Sequence, residues 1–256
     1  MNTMVSRTLS VHKEHEVLLK LEAAGLDDEL AQKVIDSKGN DLATKVVRLI
    51  ENGGFQGSTS KKHAREIMGH NFFGVDEAIK HFGVYPSKLQ LAYLAEVTFT
   101  EEVLKSCKDA HVLVAVFPMS ILDIRGKVER TLFFNHDDAW YNKRAFAKDR
   151  GEIGWRLVRK TPVHDSTSKN WDEQQALLDK NEETPSARVC VYTIIGHFLA
   201  TGERLFENGY VRTSSVASVC GRVGVGLLDQ SGLGVSRWLD GSRPGHVGVS
   251  SARKPA

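Results

Sequence analysis

Arg222-Val223-Gly224-Val225-Gly226-Leu227 and Leu233-Gly234-Val235-Ser236-Arg237-Trp238 place Val or Leu at nearly every second position, the period of a half-buried strand. The residues between them therefore face the other way. Leu239-Asp240-Gly241-Ser242-Arg243-Pro244-Gly245-His246 follows without periodicity and with many turn formers, and alternation resumes at Val247 and Val249. An aliphatic framework thus carries neighbours and a loop that contribute nothing to its rhythm.

Upstream of this region, the spacing predicts a helix over Ala187 to Thr201 and strands at Tyr210 to Thr213, Arg222 to Leu228, Gly232 to Trp238 and Val247 to Ala252. A buried strand is expected at Val112 to Phe117 and another at Trp155 to Arg159, where Arg156 and the following Lys160 point away from the core. Helices are expected over Lys62 to Met68, Val75 to Phe82, Lys88 to Glu96, Glu101 to Cys107, Asp138 to Lys148 and Trp171 to Leu178, the last capped by Ser168 or Asn170. Helices in the middle and strands crowded at the end argue an α+β class.

From His12 to Asn52, Val17, Leu18, Leu21, Leu26, Leu30, Val34, Ile35, Leu42, Val46, Val47, Leu49 and Ile50 recur at helical intervals broken at Gly25 and Gly39-Asn40, giving about three short helices. The expected organisation is a helical module over 1–52, a Gly/Ser-rich linker over 53–61, helical segments over 62–109 and a main domain over 110–256.

The chain has 256 residues and a formal net charge of +2, with its basic residues dispersed. No electrostatic footprint for nucleic acid is present. Its apolar runs fall short of the roughly twenty residues of a membrane span, and the first residues lack the apolar core of a signal peptide. These features predict a chain that is cytoplasmic when synthesised. Cys107, Cys190 and Cys220 are widely spaced and read as free thiols, and no Cys/His spacing suits zinc.

Catalytic patterns find little support. Gly221, Gly224 and Gly226 form GxxGxG rather than the dinucleotide fingerprint, and no helix follows them. Ser214, Ser215 and Ser218 lack a nucleophile elbow. The adjacent pairs Glu182-Glu183 and Asp137-Asp138 splay apart instead of facing one substrate, so they read as solvated or capping residues.

With these residues in view, the C-terminal part of the chain resembles the variable proteins of diversity-generating retroelements, which carry a C-type-lectin-like (formylglycine-generating-enzyme-like) fold ending in a variable region, here about residues 212–250. In that family adenines are miscopied, so that AAC asparagine codons become any codon ending in C; Lys, Glu, Gln, Met and Trp are then unreachable. From Gly221 to Val249 there is no Lys, Glu or Met, where the chain's own composition leads one to expect about four.

The resemblance implies that Gly224, Leu227, Gly234, Ser236, Arg237, Leu239, Gly241, Ser242, Pro244, Gly245 and His246 are variable ligand-binding positions. Val223, Val225, Leu233, Val235, Trp238, Val247 and Val249 are then the invariant frame that fills the core. The implied function is a non-enzymatic ligand-binding protein whose hypervariable surface recognises a protein or other macromolecule, with no cofactor, no metal and no bound calcium, since Asp229 and Asp240 are the region's only carboxylates. The surface is expected to be poor in aromatic anchors. The rival readings are an enzyme on the same fold, for which Cys220 has no nearby cysteine partner, and an adaptor working through its N-terminal helices.

Overall fold

The computed structural model of the chain describes residues 10–23, 25–37, 43, 46–47 and 57–255. Two units separate, Met1–Phe55 and Gln56–Ala256. In the first, helices α1 (Val11–Ala23) and α2 (Asp28–Ile35) bury none of their residues, and Asp27 caps α2 by accepting from the Leu30 N–H at 2.8 Å. The expected third helix lies largely outside the described residues, as does the linker stretch 53–56.

In the second unit the elements run β1 (Thr59–Ser60), α3 (Lys61–Met68), β2 (Phe72–Phe73), α4 (Val75–Phe82), α5 (Lys88–Tyr93), β3 (Glu96–Val97), α6 (Glu101–Cys107), β4 (His111–Val116), α7 (Ile121–Lys127), α8 (Ala145–Lys148), β5 (Gly154–Arg159), α9 (Trp171–Gln175), β6 (Glu182–Glu183), α10 (Ala187–Thr201), β7 (Tyr210–Ser218), β8 (Gly221–Asp229), β9 (Gly232–Leu239), β10 (Val247–Val249) and β11 (Ala252–Arg253). The class is α+β. No described helix is long and apolar enough to cross a membrane.

Helix α10 organises the unit. Ser186 caps its start and Gly202, at φ +78°, ends it in the left-handed conformation that glycine adopts without strain. Every residue from Ala187 to His197 is buried, because α10 has neighbours on all sides: α4, β4 and α7 as well as β7 and β8. Gly196 lets the Phe73 ring lie on the helix; a Cβ there would stand 3.0 Å from ring carbons.

Two sheets flank this helix. One has the order β2-β4-β5-β11-β6, parallel only between β2 and β4; the other has the order β10-β7-β8-β9, parallel only between β10 and β7. The expected single closing strand Val247 to Ala252 is two strands, one in each sheet, with Ser250 and Ser251 between them. There the Ser250 N–H and hydroxyl both donate to the Arg212 carbonyl, at 3.0 and 2.7 Å, so the crossing is fixed by hydrogen bonds instead of continued pairing.

Several boundaries differ from expectation for identifiable reasons. Of the helix expected over Asp138 to Lys148 only α8 forms; Trp140, upstream of it, lies in a turn and donates its indole N–H to the Val235 carbonyl at 2.8 Å. The expected helix Lys88 to Glu96 stops at Tyr93, and Glu96 pairs with Ser60 instead. The end of the expected linker is ordered: Thr59 is buried with its hydroxyl donating to the Phe99 carbonyl at 2.7 Å, and Ser60 caps α3.

Candidate ligand-binding surface

Alternation along β8 and β9 sorts their side chains cleanly. Register pairs Val223 with Arg237, Val225 with Val235 and Val225 with Val211, so these share the face turned toward α10. Val211, Val223, Val225, Leu233 and Val235 are buried there, while Arg237 lies beyond the core and is exposed. The opposite face carries Tyr210, Arg212, Arg222, Gly224, Gly226, Gly234, Ser236 and Trp238.

Trp238 therefore does not fill the core as expected. Its position relative to Val235 has the wrong parity, and it lies half-buried over Gly224, whose added Cβ would come within 2.3 Å of the indole. Tyr210 covers Gly234 in the same way. The Tyr210 and Trp238 rings are 4.7 Å apart, and His246 meets them edge-on at 6.4 and 6.1 Å. An aromatic cluster is thus present where a surface poor in aromatic anchors was expected.

The 239–246 loop is held by its main chain. The Asp240 N–H donates to the Cys220 carbonyl (2.8 Å), the Asp240 carbonyl accepts from the Trp171 N–H (2.8 Å), the Pro244 carbonyl from the Ser168 N–H (3.1 Å) and the His246 carbonyl from the Tyr210 N–H (3.0 Å). Beneath it Arg212, 0% exposed, donates to the carbonyls of Lys169 (3.0 Å), Leu239 (3.1 Å) and Ser242 (2.8 Å), to Gln174 Oε1 (2.9 Å) and to Ser242 Oγ (2.9 Å). Burial lowers the Arg212 pKa from its ordinary value, and Asp240 opposes that shift. A guanidinium can be placed here because its donors meet carbonyls in several directions at once.

The eleven positions expected to be variable divide under this geometry. Arg237, Leu239, Gly241, Gly245 and His246 are exposed, and Ser236, Ser242 and Pro244 are half-buried. Gly224 and Gly234 face away from the core as expected but form a covered floor beneath Trp238 and Tyr210, so a larger residue must displace a ring. Leu227 stands in a bulge at φ +49° and its N–H donates to the carbonyls of Phe206 (2.9 Å) and Gly209 (3.0 Å); the register shift there puts Leu228 into the core in its place. Val247 and Val249 are buried.

Beside the aromatic cluster opens a cleft of about 440 Å³ lined by Lys160, Pro162, Thr167, Arg204, Phe206, Tyr210 and His246, among others. Glu203 also lines it, and its carboxylate bonds Lys160 (2.7 Å) and His197 (2.9 Å). Burial pushes His197 below its ordinary pKa, partly countered by Glu203; Glu203 is lowered because its two partners outweigh its own burial. This cluster escaped the sequence reading because Lys160, His197 and Glu203 are far apart or unremarkable in the chain. Among the described residues no group of three or more His, Cys, Asp or Glu side chains is arranged to hold a metal ion. Compared with protein-family models, curated proteins and solved structures, the chain gives no match.

Proposed function

We propose that the chain is a ligand-binding protein whose C-terminal surface, carried on a C-type-lectin-like domain of the kind found in variable proteins of diversity-generating retroelements, recognises a macromolecular partner. One observation carries this reading. The 239–246 loop is tied to the scaffold through main-chain atoms and a buried arginine, so most of its side chains can change without loss of the bonds that shape it. Preformed loops on a rigid support are where binding residues concentrate, because little entropy is lost on association.

The test is a library of the full chain randomised at Ser236, Arg237, Leu239, Gly241, Ser242, Pro244, Gly245 and His246, displayed on yeast and sorted against unrelated folded proteins. Specific binders that fold as well as the parent are expected against more than one target. If randomised chains fold but none binds, the reading fails. If binding persists regardless of these residues and vanishes on deletion of residues 1–60, recognition belongs to the N-terminal helices instead.

A further inference from the structure

The outer edge of β9 is covered by the segment that follows α7. The Phe134 N–H donates to the Leu233 carbonyl at 3.1 Å, and Trp140 Nε1–H donates to the Val235 carbonyl at 2.8 Å. These are successive carbonyls on one strand edge, so the segment seals an edge that would otherwise invite pairing. It also fixes the Trp140 indole beside Arg237, the next residue in the same phase.

Two guanidiniums meet that ring. Arg237 lies 5.7 Å and Arg144 5.9 Å from its centroid, within the range of cation–π attraction. Both side chains are exposed, and among the described residues neither has an ion pair or side-chain hydrogen bond to an acid. Lys143 lines the adjoining cleft of about 530 Å³ with Arg144 and Trp140. Two acids, Asp137 and Asp138, also line that cleft; Asp137 is already held by Arg130 and His136, which leaves Asp138 against the three cations Lys143, Arg144 and Arg237. Two like charges on one indole gain most from a shared anionic partner, and a stacked guanidinium keeps its N–H edge free for one.

We infer that Trp140, Arg144 and Arg237 form an anion-accepting corner of the binding surface, whose occupant is an acidic, partly apolar segment of a protein partner. This rests on the reading of the surface as a ligand-binding site. A protein carboxylate fits better than a nucleic-acid backbone because Leu239, 64% exposed, and Val219, 99% exposed, project at the same end of the sheet, and because the chain's net charge is only +2. Trp140 and Arg144 are outside the positions assigned as variable. They supply a constant half of the corner, while residue 237 sets whether the corner attracts acid.

The experiment is selection of short random peptides displayed on phage against the full chain, with the Arg237→Ala, Arg237→Glu and Arg144→Ala variants in parallel. Recovered peptides are expected to be enriched about twofold or more in Asp and Glu over the unselected library. A synthetic copy of the leading peptide is expected to bind Arg237→Ala and Arg144→Ala about tenfold more weakly, and Arg237→Glu is expected to reverse the charge preference. Peptides that bind at the loop without acid enrichment, or whose affinity ignores both arginines, overturn the corner and leave the surface reading standing. Recovery of no peptide whose binding depends on residues 236–246 counts against both. Tighter binding of a single-stranded oligouridylate than of any selected peptide, lost in Arg144→Ala, reassigns the corner to phosphate and overturns the acidic-protein assignment.

Discussion

Helix α10 and the 239–246 loop are stabilised by opposite parts of the chain. In α10 the main chain is satisfied within the helix, and what holds it in place is the identity of its buried side chains from Ala187 to His197. In the loop it is the main chain that reaches out, to Cys220, Ser168, Trp171, Tyr210 and Arg212, while Leu239, Gly241, Gly245 and His246 project. Replaceable positions therefore lie where carbonyls, not side chains, carry the structural bonds. The face a residue points to is by itself a poorer guide, as the covered floor glycines Gly224 and Gly234 show.

The largest effect is expected inside the helix. Ile194→Asp places an unpaired carboxylate at a fully buried site, a cost of about 4 kcal/mol or more. Loss of the cooperative near-ultraviolet circular-dichroism transition is the expected result, and a melting temperature within a few degrees of the parent's would contradict the assignment of α10 to the core. Arg212→Met comes next. It leaves the Lys169, Leu239 and Ser242 carbonyls short of donors, at about 3 kcal/mol, or a melting temperature lower by about 10 °C for a unit of this size. Amide exchange should accelerate selectively at Ser242 and the residues around it. Unchanged protection there would show that the loop keeps its shape without the guanidinium.

Acid should likewise act on the buried half. His111 opens β4 with both ring nitrogens unpartnered among the described residues, and burial, aided by Arg159, lowers its pKa from 6.5 to about 4. The unfolded chain binds a proton there at a higher pH than the folded one. This contribution to stability is therefore complete above pH ~6.5 and falls as pH drops toward ~4, by about 3 kcal/mol in total. The parent's urea midpoint should fall relative to that of His111→Gln as pH drops through that window. Parallel profiles would remove His111 as the cause.

Much of this contrast was readable from residue spacing. Helix α4, α6 and α10 have the limits that periodicity predicts, and β8 and β9 extend the expected strands by a residue or two, because the apolar repeats there face one dense core. Helix α7 was missed although Ser120 and Asp123 form a capping box, a signal that could have found it. Strand β7 runs to Ser218, beyond the expected end at Thr213; its register against β8 shifts after Arg212 and again after Val216, so no simple alternation marks that half of the strand. Hydrophobicity alone puts Trp238 in the core, but its parity puts it on the opposite face with Arg222, where it lies half-buried. Contacts made by long-range polar atoms, such as those of Arg212 or of Trp140 with Val235, leave no local periodicity to read.

Gly224→Ala probes the boundary between the two kinds of position. The site faces away from α10, yet its new methyl group would meet the Trp238 ring at 2.3 Å, so the indole must turn at a cost of about 1 to 2 kcal/mol. Trp238→Ala in the same chain should recover part of that loss in thermal melts. Additive losses in the double variant would mean that the ring is not the obstacle.

The smallest effects belong to the loop itself. Gly241 has no neighbouring atom within 4 Å of the position a Cβ would take, and Gly245 has only Ser168 Oγ at 3.7 Å; neither needs a left-handed backbone. The Leu239 carbonyl accepts from the Ser242 N–H and from Arg212, bonds that survive a change of the Leu239 side chain. Gly241→Ser, Gly245→Ser and Leu239→Ser are each expected to stay within about 0.5 kcal/mol of the parent, a shift of about 2 °C or less in melting temperature. Their energies should also add, because the side chains point outward and share no partner that either could displace. A combined variant that melts far below the sum of its parts would mean that these side chains brace one another, and the loop would then be no more replaceable than the helix.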